Sequence, residues 1–180
     1  MNPKKHFRAK NMFIRWGKVG RKFLPLKTNF PFMRFTGTIH ARLDAKNRVF
    51  LPSAYRKVLA ETGAQSFVMK RDIFQPCLVL YPYDVWEHEV EELKSRLNLW
   101  SSADAMLLRQ FLSDVEVFEL DTNGRFILPK RHQECIGAHQ EVTFVGLDDR
   151  LEVWSKEHLD ASFMPAEDFA SALQSKMSSL

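Results

Sequence analysis

The sequence predicts an α+β fold: two tandem strand–turn–strand units, with helices added between and after them. Three observations lead there. The segment "LDAKNRVFLP" (43–52) returns as "LDTNGRFILP" (120–129), with Leu, Asp, Arg, Leu and Pro in register 77 positions apart. Each copy is flanked by short runs rich in β-branched and aromatic residues, the composition of strands. Between the copies, and again after the second, apolar residues recur at helical spacing.

Taken in order, "FTGTIHARL" (35–43) reads as a strand, Asp44 to Asn47 as a turn, and "RVFL" (48–51) as the returning strand, stopped by Pro52. Asp and Asn favour such turns because they bond to nearby backbone or tolerate positive φ. "SAYRKVLAETG" places Tyr55, Val58 and Leu59 on one helical face and ends at Gly63. Two short strands follow, "SFVMK" and "CLVLY". The second copy keeps the order: "VEVFEL", the turn, "RFIL", a short helix from Pro129 to about Ile136, then "EVTFVGL" and "LEVW", with Trp154 in the place of Tyr81. The whole unit is thus repeated. Of the two helices between the copies, "DVWEHEVEELKSRL" opens on Asp84 and Glu87, spaced like a capping box, and carries Val85, Trp86, Val90, Leu93 and Leu97 as a stripe. "SADAMLLRQFL" follows, with Met106, Leu107, Leu108, Phe111 and Leu112. Core packing is the expected use of both stripes, with contact to another subunit as the alternative. "SKEHLDASF" and "PAEDFASALQSKM" read as two further short helices. The expected divisions are a basic leader (1–32), a first repeat (33–83), a helical connector (84–113), a second repeat (114–160) and a helical tail (161–180).

Charge is divided unevenly. Residues 1–32 hold nine Lys or Arg and no acid, so the other 148 residues carry 17 bases against 22 acids, a net of −5. Binding to nucleic acid by the body therefore needs a local basic site rather than bulk charge. The leader reads as a mis-assigned start, a basic arm or a targeting segment. The composition changes at Met33, where translation could begin, and little stable structure is expected before residue 31. Cys77 and Cys135 form no C-x-x-C motif, which favours a reduced, cytoplasmic setting. No apolar run approaches the roughly 20 residues of a membrane span.

The repeated turn has two readings. In the first, Asp44 and Asp121 only close their turns and pair with Arg48 and Arg125. In the second, two-stranded ribbons project Lys46, Arg48 and Arg125 into a DNA groove, since a ribbon fits the major groove and Arg suits guanine edges and phosphates. No nucleophile motif, phosphate-cradling glycine loop or paired metal-ligand spacing points to an enzyme. His132, Cys135 and His139 do not complete a zinc site, and Asp148–Arg150 reads as a solvated hairpin tip.

The stretches "MRFTGTIHARLDAKNRVFLPSAYR", "FVMKRDIFQPCLVLYPYDVWE", "FLSDVEVFELDTNGRFILP" and "VTFVGLDDRLEVWSKEHL" closely resemble the MraZ family, bacterial transcriptional regulators of the division and cell-wall gene cluster. The resemblance spans Met33 to Leu159 and includes the family's double D-x-x-x-R signature, Asp44…Arg48 and Asp121…Arg125. It implies an AbrB-like fold in which two hairpin units interlock into a small swapped-hairpin barrel. It further implies a ring-like homo-oligomer that binds double-stranded DNA at direct repeats upstream of its own operon, usually as a repressor at the nucleoid. On that reading Lys46, Arg48, Arg125, Asn47, Thr122 and Asn123 face DNA, while Asp44, Asp121 and Gly124 organise the turns. No cofactor, metal, membrane or small-molecule substrate is expected. The first motif departs from the family at Asn47, where Gly is usual; Asn tolerates left-handed φ, so the turn is expected to survive. An AbrB-like antitoxin with a toxin partner and a non-DNA structural oligomer are the competing readings.

Overall fold

The computed structural model describes residues 34–63 and 66–178; the basic leader lies outside them. The fold is α+β, and every strand pairing in it is antiparallel. The first copy contributes β1 (Thr38–Arg42), β2 (Arg48–Phe50), α1 (Ser53–Thr62), β3 (Ser66–Arg71) and β4 (Leu78–Pro82). Helices α2 (Tyr83–Ser95) and α3 (Ser102–Ser113) connect it to β5 (Val115–Glu119), β6 (Arg125–Ile127), α4 (Lys130–Cys135), β7 (Glu141–Leu147) and β8 (Arg150–Trp154) of the second. Helices α5 (Lys156–Ser162) and α6 (Ala166–Ser178) follow.

The returning strands do not pair as the local pattern suggests. A six-stranded sheet runs β1-β7-β8-β4-β3-β5, while β2 and β6 leave it and pair with each other. Each D-x-x-x-R turn therefore carries the chain out of the sheet; beside the first turn, ladder pairing is reduced to the isolated Leu43–Val49 bridge. The reason is hydrophobic. Val49 faces Phe126 at the centre of the ribbon, and both are buried. Phe126 stacks on Phe118 (centroids 4.7 Å apart), Phe118 on Phe67 (5.5 Å), and Phe144 meets Phe126 edge-on (6.3 Å). This aromatic chain joins both copies into one core, and burying it outweighs a simple hairpin.

Three local expectations change. Helix α2 starts at Tyr83 after Pro82, with no side-chain cap. Asp84 thus lies inside the first turn and accepts from the Val85 N–H at 3.0 Å, so no capping box with Glu87 forms. Helix α3 buries no residue completely: Phe111 stacks on Trp86, but Met106, Leu107 and Leu112 are exposed. Finally, Arg150 is not a solvated tip. It donates to Glu89 on α2 at 2.7 Å and lies over the Tyr81 ring, tying the β7–β8 turn to the connector. Cys77 and Cys135 are both free.

Candidate nucleic-acid interface

Both turns are built alike. In the first, the Asp44 N–H donates to the Arg48 carbonyl (2.8 Å) and the Asn47 N–H to the Asp44 carbonyl (2.9 Å). Asp44 Oδ1 accepts from the N–H groups of Lys46 (2.8 Å) and Arg48 (2.9 Å), and Oδ2 from Arg48 Nε and Nη2, both at 2.7 Å. In the second, Asp121 Oδ1 accepts from the N–H groups of Asn123 and Arg125, both at 2.9 Å, and Oδ2 from Arg125 Nε and Nη2, both at 2.8 Å. The left-handed position is held by Asn47 (φ 57°) in one and Gly124 (φ 79°) in the other, so Asn does accept the strained conformation. Donors converging on one carboxylate favour its charged form. The Arg48 side chain and the backbone around it hold Asp44 down at about 2, and the Arg125 backbone N–H, followed by its side chain, lowers Asp121.

The ribbon sets the two turns in relation. Reciprocal bonds clamp its ends: the Leu51 N–H donates to the Gly124 carbonyl (3.0 Å), and the Leu128 N–H to the Asn47 carbonyl (2.8 Å). Arg48 stands opposite Ile127 and Phe50 opposite Arg125. Since strand side chains alternate faces, burying Val49 and Phe126 puts Arg48, Phe50, Arg125 and Ile127 together on the outer face. Phe50 and Ile127 are 53% and 61% exposed there, and the Arg125 guanidinium lies 5.5 Å over the Phe50 ring. The turns sit at opposite ends of the ribbon, separated by two strand rises of about 3.4 Å.

Of the residues expected at the interface, Lys46, Thr122 and Asn123 stand exposed at the turn tips. Arg48 and Arg125 keep side-chain exposures of only 30% and 21% because each also braces its own turn. Two neighbours escaped the sequence reading. Phe50 lies on the shared face, as the alternation along β2 already implied. Arg56 on α1 crosses to the other copy's turn, where a Cβ on Gly124 would fall 2.6 Å from its Cδ. Its one sequence signal is the polar Gln133 at the matching place of the second copy.

Among the described residues, no helix is long and apolar enough to cross a membrane. A family described as "MraZ protein, putative antitoxin-like" matches residues 34–110 and again 111–174. The chain is 48% identical over 145 residues to the Transcriptional regulator MraZ of Phocaeicola vulgatus, covering 81% of this chain and 94% of the relative. It is 44% identical to the protein of that name from Bacteroides thetaiotaomicron, covering 81% and 93% of the two chains. Against that of Escherichia coli strain K12 the figures are 31% identity, with 78% and 97% covered. With both halves matched and both D-x-x-x-R turns formed, this chain belongs to the MraZ family.

Proposed function

We propose that this protein is a sequence-specific DNA-binding transcriptional regulator that represses its own division and cell-wall gene cluster. It acts at the nucleoid as a homo-oligomeric ring, contacting direct repeats through Lys46, Arg48 and Arg125 with Asn47, Thr122 and Asn123 beside them. No catalytic step is part of this role. The observation that carries the reading is the doubled D-x-x-x-R turn, built to one geometry at both ends of a shared ribbon. Packing alone explains one carboxylate–guanidinium brace; a polar brace kept in both copies on one exposed face suits a common ligand. The naming of the relatives as transcriptional regulators supports the same reading. A body of net charge −5 needs several subunits to concentrate its few bases, and contacts linked in one assembly reinforce each other.

The test is a gel shift against the DNA upstream of its own gene, coupled to a measurement of particle size. Preference for that DNA over scrambled duplex at moderate salt, by a particle of several subunits, is the expected result. Equal binding to both duplexes overturns the proposed specificity, and a monomer overturns the ring.

A further inference from the structure

Arg48 and Arg125 spend their charge within their own turns. Each guanidinium gives Nε and Nη2 to one aspartate, so the pairs Asp44–Arg48 and Asp121–Arg125 are each neutral overall. The first turn regains a positive charge from Lys46 at its tip. The second has Asn123 at the matching position, and by sequence it carries none. Folding supplies one from elsewhere: Arg56, on α1 of the first copy, lies across Gly124 of the second turn.

Arg56 is unlike the other two arginines. Its Nε is shielded from solvent and meets no acceptor, and no side-chain hydrogen bond or ion pair engages its guanidinium among the described residues. The shielded Nε is out of reach of any ligand, whereas the terminal nitrogens of this half-buried side chain are not among the buried unpartnered atoms and carry a charge that no carboxylate of the described residues neutralises. Arg56 covers Gly124 with its Cδ and with the Nη1 and Cζ of the guanidinium itself, which sets the charge directly on the second turn. The counterpart, Gln133, is neutral and buried, and its Nε2 donates inward to the Leu128 carbonyl at 2.6 Å. The matching place in the second copy is thus spent on the fold, whereas Arg56 is left unpaired in a body that is otherwise acidic. Gly124 fits this arrangement: its φ of 79° would strain a side chain, and a Cβ there would push the Arg56 side chain aside, whereas the first turn holds Asn47.

We propose that Arg56 is a phosphate-binding residue of the second turn, giving that turn the positive charge that Lys46 gives the first. The ligand is a backbone phosphodiester of duplex DNA, a contact that positions the protein without reading sequence. The inference rests on the DNA-binding reading above.

The test uses the full-length protein, with Arg56→Gln and Arg56→Lys, each first matched to wild type in melting temperature and oligomer size. Binding to the upstream duplex and to scrambled duplex is measured across a salt series. Arg56→Gln is expected to weaken both alike and to lower the slope of log K against log salt by about 0.9 for each engaged copy. Arg56→Lys should restore most of the slope. An unchanged slope in a folded Arg56→Gln protein overturns the inference, as does a loss confined to the upstream duplex. Should neither variant fold, Arg56 is a structural residue and the proposal is wrong. Wild-type protein that does not prefer the upstream duplex defeats the specific reading, while its slope still judges Arg56; wild type that binds no duplex defeats both.

Discussion

The two D-x-x-x-R turns share one skeleton and differ in nearly everything attached to it. Aspartate, arginine, the left-handed residue and the clamp to the opposite strand are common to both. The tips differ (Lys46 against Asn123), as do the left-handed residues (Asn47 against Gly124) and the outward ribbon side chains (Phe50 against Ile127). Even the core residues after each turn diverge. Tyr55 gives its hydroxyl to the Gly37 carbonyl at 2.8 Å, whereas His132 at the matching place is buried with neither ring nitrogen hydrogen-bonded. What closes the turn is held constant, and what surrounds it has been free to specialise.

The largest effect should come from breaking the ribbon. Phe126→Ala removes the ring between Phe118 and Phe144 and should cost about 3–5 kcal/mol in denaturant unfolding. Val49→Ala, across the same pair, removes much less volume and should cost less. Equal costs would mean that the two strands hold the ribbon equally.

Next is the arginine pair. Arg48→Ala should weaken binding to the upstream DNA by about 1–3 kcal/mol for each bidentate arginine–guanine pairing it removes, multiplied across linked subunits until no tight complex remains. Arg125→Ala should lose less, because that guanidinium is held between Asp121 and the Phe50 ring. Gel shifts with both folded variants decide this, and matching losses would make the turns functionally equivalent.

The left-handed position separates the copies more finely. Gly124→Ala has to hold a φ of 79° and displace Arg56, so a loss of about 1–3 kcal/mol in stability is expected. Asn47→Gly should change stability by only a few tenths of a kcal/mol, since the position already accepts a side chain. Paired urea titrations would show whether that asymmetry is real.

The smallest effect is set by pH. Burial is the main influence on the His132 imidazole and lowers its pKa below the ordinary 6.5; Arg131 acts the same way, while Glu116 and Asp114 oppose them. Glu116 Oε1 lies 3.4 Å from Nε2 without completing a hydrogen bond. The folded state therefore takes up its proton at lower pH than the unfolded chain does. Stability is fully present above pH 6.5 and declines as pH falls through that value toward the depressed one. Melting temperatures between pH 7.5 and pH 5 should show the decline in wild type and a flatter profile in His132→Phe. Parallel profiles would assign the slope to other groups.

Much of this was written locally in the sequence. Asp44 and Asp121 as turn closers, Asn47 as a bearer of positive φ and Gly63 as a helix terminator all follow from chemistry within four residues along the chain. The duplication itself needed only the 77-residue offset, and the family resemblance followed from it. Tertiary structure alone decided the partners. Each returning strand could have paired with the strand before it, and its alternation of side chains is the same in either arrangement. The choice of β2 with β6 depends on joining Val49 to an aromatic chain whose members lie up to 77 residues apart in sequence. Arg56 over Gly124 and Arg150 on Glu89 depend on that choice in turn. Turn chemistry and periodicity act over a few residues and leave a local signature, whereas strand exchange is settled by burying apolar surface between distant segments, for which one sequence read locally carries no distinguishing mark.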